Sequence, residues 1–307
     1  SQLGVLEKKE NEKIGSTRFK ASLAKRYEYS LIERFPDLTL EKKILVDCSF
    51  GAFHSIARKS LINFKSINYI NDKPEGKKIN FKCGALEPQI LLDLVKTNDF
   101  DYGIAFDGDG DRVIFVSRDY GIIETEKLLI LFANYLSSKS SSKSIVSTEI
   151  CNKGLELNCQ NLGFKLEQVA VGDRNVVNKV LNHQCLIGAE PSGHYFFPKK
   201  SLTMDGLLTV FYFLEILSHY KDQLPDQLYK LIHFNRLTKD IPIRNNYSSR
   251  LFVKDLYDSL IPIIDNNTEK LIIRKSMWDP VIRIYYDYKE NSNIDYINSR
   301  IINYICK

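Results

Sequence analysis

The sequence lacks the features that mark membrane, secreted and nucleic-acid-binding proteins. It contains no apolar run of about 18 residues and no signal-peptide pattern. Its 43 Lys and Arg residues are nearly balanced by 38 Asp and Glu residues, and no long basic run interleaved with aromatic residues occurs. We therefore predict a cytoplasmic protein with no membrane partner and no nucleic-acid partner.

Cysteine is present, but not in metal-binding or redox patterns. The six cysteines are widely scattered: Cys48, Cys83, Cys151, Cys159, Cys185 and Cys306. None of them forms a Cys-x-x-Cys pair, which argues against a zinc site or a dithiol centre. We expect reduced and mostly buried thiols.

Apolar stretches alternate with amphipathic ones, as in α/β proteins. The predicted strands are 43–46, 67–70, 102–106, 145–147, 165–170, 186–188, 271–274 and 281–288. The main predicted helices are 87–96, 128–136, a stretch ending at Leu162, 175–181, 205–217, 251–261 and a last one from about Ile294. This order predicts consecutive α/β domains with mixed sheets, followed by a smaller α+β domain. The predicted boundaries are 1–30 for a linker and first helix, 31–121 and 122–235 for the α/β domains, and 236–307 for the last domain.

A cluster of carboxylates follows the predicted strand 102–106. Three aspartates alternate with two glycines there: Asp107, Gly108, Asp109, Gly110 and Asp111. Three ionised carboxylates on so short a loop repel one another unless a cation neutralises them, and oxygen ligands suit Mg2+ or Ca2+. An EF-hand is excluded, because Arg112 and Arg118 stand where that loop needs Gly and Glu. The alternative is a solvated acidic turn.

A second polar loop also follows a predicted strand. Glu190, Ser192 and His194 lie within five residues on a glycine-flanked stretch. A carboxylate, a hydroxyl and an imidazole so close together can bracket the hydroxyl groups of a sugar. The alternative is ordinary turn chemistry, for which Pro, Ser and Gly are common. Asp173 and Arg174 begin a predicted helix, where an acidic residue also simply complements the helix dipole.

These stretches resemble conserved loops of the α-D-phosphohexomutase superfamily. The aspartate loop resembles the metal-binding loop of that family, and 188–194 resembles its sugar-recognition loop. The stretches 71–88 and 171–176 are similar to the bacterial phosphoglucosamine mutase branch, although Asn175 stands where that family usually has Tyr. The resemblance extends from about Gly4 to Arg283.

The resemblance implies roles for individual residues. Mg2+ would be the cofactor, held by Asp107, Asp109 and Asp111, and Arg112 would be the catalytic residue that assists the transferring phosphate. A hexose phosphate would be the substrate. Its implied binding residues are Glu190, Ser192, His194, Asp173 and Arg174.

The stretch 274–283 aligns with the phosphate-binding loop of the family, but some residues of that loop are replaced. Arg274, Ser276 and Arg283 match, and they are the implied phosphate ligands. Met277 and Trp278 replace the Gly and Thr that let the backbone and a hydroxyl approach a phosphate. The alternative for Arg274 is a structural role stacked on Trp278.

The family also carries a Thr-Ala-Ser-His-Asn-Pro type loop, whose serine is phosphorylated, in a first domain. No such loop occurs among the 307 residues. The expected function is that of a phosphohexomutase, an isomerase, most like phosphoglucosamine mutase, present as a fragment inactive without its phosphoserine domain. One alternative is a catalytically silent sugar-phosphate-binding or regulatory homologue, and another is phosphomannomutase or phosphoglucomutase activity.

Overall fold

A computed structural model describes residues 20–36, 38–138, 140–243, 249–265, 268–276, 279–289 and 294–305. Three β-sheets follow one another along the chain, two of them mixed and the last antiparallel. The predicted fold class is therefore confirmed. None of the helices within these ranges is long and apolar enough to cross a membrane.

The first sheet has five strands, and helices cover it. Its elements are α1 (Ala21–Arg34), β1 (Ile44–Asp47), α2 (His54–Ser60), β2 (Ile67–Ile70), α3 (Pro88–Thr97), β3 (Tyr102–Phe106), β4 (Val113–Ser117) and β5 (Gly121–Ile123). The strand order is β2-β1-β3-β4-β5, parallel across the first three strands and antiparallel beyond β3. Every residue of β1 and β3 is buried, which explains why these strands read as continuous apolar runs.

The second sheet repeats this arrangement with four strands. Its elements are α4 (Thr125–Ser137), β6 (Ser144–Thr148), α5 (Lys153–Leu162), β7 (Lys165–Val169), α6 (Asp173–Asn182), β8 (Ile187–Glu190), β9 (His194–Phe196), α7 (Gly206–Tyr220) and α8 (Leu224–Lys230). The strand order is β7-β6-β8-β9. The first three strands are parallel, and β9 pairs antiparallel with β8. The α5 helix ends at the C-cap Gly163, which has a positive φ of 71°.

Helix α7 joins the two sheets into one hydrophobic core. It is buried on nearly all sides, which explains why its sequence is apolar at most positions. Phe213 stacks on Phe115 of the first sheet, with ring centroids 4.1 Å apart, and Tyr212 stacks on Phe197 of the second unit at 4.2 Å. Asp205 is the N-cap residue of α7, and its carboxylate accepts hydrogen bonds from Leu208 N and from the hydroxyl of Tyr27 in α1.

The third sheet is antiparallel and smaller. Its elements are β10 (Asn235–Pro242), α9 (Ser249–Leu260), β11 (Lys270–Lys275), β12 (Val281–Tyr288) and α10 (Ile294–Ile305), with β12 in the centre. One face packs in a separate apolar core that includes Ile273, Ile284 and Tyr286. The other face contacts the second unit through charged residues.

A buried ion pair lies at that contact. Arg236 of β10 binds Asp287 of β12 through two hydrogen bonds, Nε to Oδ1 at 2.5 Å and a terminal nitrogen to Oδ2 at 2.9 Å. Asp287 is 1% exposed and also accepts the backbone N–H of Lys153, the first residue of α5. Lys270 of β11 binds Glu156 of the same helix at 2.8 Å. The third sheet is thus attached to α5 by polar contacts.

The sequence prediction missed several strands. The β4, β5 and β9 strands were not predicted, and β10 was assigned to a connecting region. The five described cysteines, Cys48, Cys83, Cys151, Cys159 and Cys185, are free and buried, as expected. Cys306 lies outside the described residues.

Candidate active site

The two candidate loops occupy equivalent positions in the first two sheets. The aspartate loop connects β3 to β4, and the loop with Glu190 and Ser192 connects β8 to β9. In each sheet the loop follows the last parallel strand, at the carboxyl edge where ligands collect in α/β folds. The sequence prediction that both loops follow strands is confirmed.

The two loops lie against each other. Val113 N donates to Gly193 O at 3.0 Å, and Arg112 and His194 form an isolated antiparallel bridge. Glycine is required at this contact, because Gly193 has a φ of 94° and a Cβ atom there would lie 2.8 Å from Val113 O. A further bond from Gly206 N to Gly110 O ties the start of α7 to the aspartate loop at 3.1 Å.

The three aspartates converge. One carboxylate oxygen from each of Asp107, Asp109 and Asp111 lies within 4.8 Å of the others. Asp107 is buried, and Gly110 N and Arg112 N donate to its Oδ1, while the Arg112 Nε lies 2.6 Å from its Oδ2. Asp109 is exposed and has no hydrogen bond or ion pair with any described residue.

The electrostatics of this loop fit a hard cation. Burial raises the pKa of Asp111. The charge of His194 lowers it, whereas the charges of Asp107 and Asp109 raise it further. All three donors are carboxylate oxygens, the ligand type that Mg2+ and Ca2+ prefer. One lone pair of Asp107 Oδ2 remains available beside Arg112, and Asp109 is wholly available. The aspartate loop can therefore hold a divalent cation.

The second loop contains a hydrogen-bonded group centred on His194. Its Nδ1 lies 3.1 Å from Glu190 Oε2 and 2.9 Å from Ser192 Oγ, and its Nε2 lies 3.4 Å from Asp111 Oδ1. Burial alone lowers the pKa of His194, but the hydrogen bond to Glu190 and the charges of Asp111 and Glu190 outweigh burial and raise it. The imidazole thus connects the loop between β8 and β9 to the aspartate loop.

Glu190 is held from a second side. It is 6% exposed, and its Oε1 accepts the backbone N–H of Gly172 at 2.9 Å. Asp173 and Arg174 follow directly as the exposed first residues of α6. The structure therefore places the start of α6 beside the Glu190 loop. Sequence reasoning did not identify Gly172, because a contact between residues 18 positions apart leaves no local pattern.

The third group of predicted residues lies on the last sheet. Arg274 of β11 is directly opposite Arg283 of β12, and the Nε of Arg274 is buried without a hydrogen-bond partner among the described residues. Arg283 is engaged by Asp240 through two hydrogen bonds of 2.7 Å. Ser276 is buried next to Asp279. Met277 and Trp278 lie outside the described residues.

This group makes no polar contact, among the described residues, with the two hairpin loops, namely the aspartate loop and the loop that connects β8 to β9. No hydrogen bond or ion pair between described residues connects Arg274 or Arg283 to either loop. The site residues that are brought together are those of the first two sheets, namely Asp107, Asp109, Asp111, Arg112, Glu190, Ser192 and His194.

Known proteins match this chain along most of its length. Residues 124–233 match the family described as phosphoglucomutase/phosphomannomutase, alpha/beta/alpha domain III. Phosphoglucosamine mutase of Clostridium botulinum is 28% identical over 95% of this chain and 67% of its own length. Phosphoglucosamine mutase of Dictyoglomus thermophilum is 34% identical over 79% of this chain and 54% of its own length. The chain thus spans between about half and two thirds of these two relatives.

Solved structures share the fold. A phosphoglucomutase/phosphomannomutase family protein from Burkholderia thailandensis superposes with a TM-score of 0.74 at 21% identity, over 92% of this chain and 64% of that protein. The N-acetylphosphoglucosamine mutase of Aspergillus fumigatus, solved with GlcNAc-6P and magnesium, gives a TM-score of 0.70 at 14% identity over 92% and 69%.

The repeated mixed sheets are shared with solved mutases of sugar phosphates. This chain has the fold of the α-D-phosphohexomutase superfamily, and its residues 124–233 match the domain III family of phosphoglucomutases and phosphomannomutases. Within that superfamily its sequence is similar to phosphoglucosamine mutases.

Proposed function

We propose that this chain provides the metal-binding and sugar-binding part of a phosphohexomutase that interconverts glucosamine 6-phosphate and glucosamine 1-phosphate. The observation that carries the proposal is the contact between the two hairpin loops. Three convergent carboxylates on one loop and Glu190 on the other are connected through His194. A sugar phosphate lying between them would meet a charged end and a hydroxyl-binding end.

Different residues of this chain would bind the metal, the phosphate and the sugar. Asp107, Asp109 and Asp111 would hold Mg2+, which when bound neutralises charge on a transferring phosphoryl group. Arg112 is held beside Asp107, so its terminal guanidinium nitrogens can bind phosphate oxygens. Glu190 and Ser192 would bind sugar hydroxyls, and His194 would hold the orientation of both.

Other predicted residues have supporting roles in this proposal. Asp173 and Arg174, at the exposed start of α6, would lie at the rim of the sugar site. Arg274, Ser276 and Arg283 would bind the second phosphate, which requires Arg283 to share its guanidinium with Asp240. We propose three domains over 31–121, 122–235 and 236–307, one for each sheet. The 307 residues contain no Ser-His-Asn-Pro loop, so turnover would require a serine-bearing domain from another segment.

The engagement of Arg283 by Asp240 favours a second candidate, a silent sugar-phosphate-binding homologue. Because both candidates bind a hexose phosphate, they differ in turnover and not in ligand. Supplying the serine-bearing domain of a phosphoglucosamine mutase separates them, since only the first candidate then interconverts the two glucosamine phosphates.

A Glu190→Ala variant tests the sugar-binding end. Loss of a charged hydrogen-bond partner is expected to weaken binding of glucosamine 6-phosphate by about 1 to 3 kcal/mol, while binding of Mg2+ is retained. Titration followed by NMR measures the first quantity and calorimetry the second. Glu41→Ala is the matched control, because Glu41 is exposed and precedes β1, at the amino end of the strands of the first sheet, whereas the aspartate loop is at their carboxyl end. Equal affinities of the Glu190 variant and the parent chain would show that the loop is only a turn.

A further inference from the structure

The turn between β7 and α6 presents one backbone donor to Glu190. Gly172 N donates to Glu190 Oε1 at 2.9 Å. Gly172 has φ 133° and ψ 127°, a backbone conformation that residues other than glycine rarely adopt. Gly172 O also accepts the backbone N–H groups of Asn175 and Val176, so the direction of the Gly172 N–H depends on this backbone conformation being kept.

The Asn175 side chain forms hydrogen bonds within the same turn. Its side-chain nitrogen, Nδ2, donates to Ala170 O and to Val171 O, both at 3.2 Å. A Cβ atom placed on Gly172 would lie 3.2 Å from this nitrogen, so the amide group is packed directly under the glycine. Both carbonyls immediately preceding the Gly172 N–H are thus held by one side chain.

We infer that Asn175 is a positioning residue for Glu190, acting through the Gly172 N–H. The consequence for sugar binding rests on the proposed function, whereas the consequence for the turn does not. A side chain with two N–H donors can hold two carbonyls at once.

A purely helical role for Asn175 makes a different prediction. Asn175 lies in the first turn of α6, where an acidic residue is favourable because it complements the helix dipole. Asn175→Asp keeps the shape of the side chain and suits the helix, but it replaces the donor with an oxygen that faces two carbonyl oxygens. The variant therefore loosens the turn while the helix is maintained. Asn178→Asp is the matched control, since Asn178 is exposed on the same helix and the charge change is equal.

Hydrogen exchange and NMR of the labelled full chain test the inference without any ligand. In Asn175→Asp, the Gly172 amide proton is expected to exchange about 2 to 10 times faster and to move upfield, because the loosened turn weakens its hydrogen bond to Glu190 by about the free energy of one ordinary hydrogen bond. The amides of Val176 and Val180 keep their protection. The dissociation constant for glucosamine 6-phosphate is expected to rise by a similar factor, with no change in Asn178→Asp.

Three results would overturn the inference. An unchanged Gly172 amide in Asn175→Asp means that Asn175 positions nothing, and equal effects of both variants mean that charge alone is responsible. A shifted Gly172 amide with unaltered glucosamine 6-phosphate affinity removes the role toward Glu190. Failure of the parent chain to bind glucosamine 6-phosphate, with the amide shifted as expected, would refute the proposed function and leave the positioning of the turn standing.

Discussion

An Asp109→Ala variant is expected to lose stoichiometric binding of Mg2+. Asp107 already binds Arg112 and two backbone N–H groups, and Asp111 faces His194, so Asp109 is the carboxylate most available to a cation. Its removal leaves two carboxylates whose charge is already shared with Arg112 and His194, so the negative charge that attracts the cation is largely lost. Isothermal titration calorimetry measures the binding directly.

The free energy of unfolding is expected to stay within about 0.5 kcal/mol in this variant, because Asp109 is exposed and makes no described contact. Asp119→Ala is the control, since Asp119 is an exposed aspartate in the turn after β4, at the other end of the strand that follows the aspartate loop. Identical binding heats for Asp109→Ala and Asp119→Ala would remove the metal site from the proposal.

An Asp287→Ala variant is expected to lose about 3 to 5 kcal/mol of unfolding free energy. Asp287 is 1% exposed and neutralises Arg236, and its loss leaves a mostly buried guanidinium without its partner. The backbone N–H of Lys153 also loses its acceptor, so the start of α5 is weakened at the same time. Denaturant unfolding followed by circular dichroism measures the change.

The last sheet contains its own control for this experiment. Asp240 and Arg283 form an equivalent bidentate pair across the same two strands, but this pair is exposed. Asp240→Ala is therefore expected to cost less than about 1 kcal/mol, as exposed ion pairs usually do. Similar losses in both variants would mean that the Arg236–Asp287 pair does not attach the third sheet to the second unit.

The sequence predicted most elements of the fold, because their burial leaves a periodic apolar pattern. The strands 67–70, 102–106 and 281–288 were predicted with the observed limits. By contrast, β10 has only two core-facing apolar residues, Leu237 and Ile241, and its other residues are mostly charged or polar because Arg236 and Asp240 pair with β12. The β5 and β9 strands have three residues each, too few to show a period.

The candidate site was predictable only in part, for a related reason. Each hairpin loop is local, and its residue types indicate its chemistry. The contact between the loops joins Asp111 to His194 and Val113 to Gly193, about 80 residues apart, and depends on how α7 packs the two sheets together. The binding of Arg283 by Asp240 was likewise invisible, because a family motif does not reveal the partners of its residues.

The central proposal is that a metal and a sugar phosphate bind side by side at the two hairpin loops. Phosphorus NMR of glucosamine 1,6-bisphosphate, with Mn2+ in place of Mg2+, measures this most directly, because the paramagnetic ion broadens only nearby phosphorus nuclei. We expect one of the two phosphate resonances to broaden far more than the other in the parent chain, and this difference to vanish in Asp109→Ala. A bound bisphosphate whose two resonances broaden equally, or not at all, would contradict the proposal.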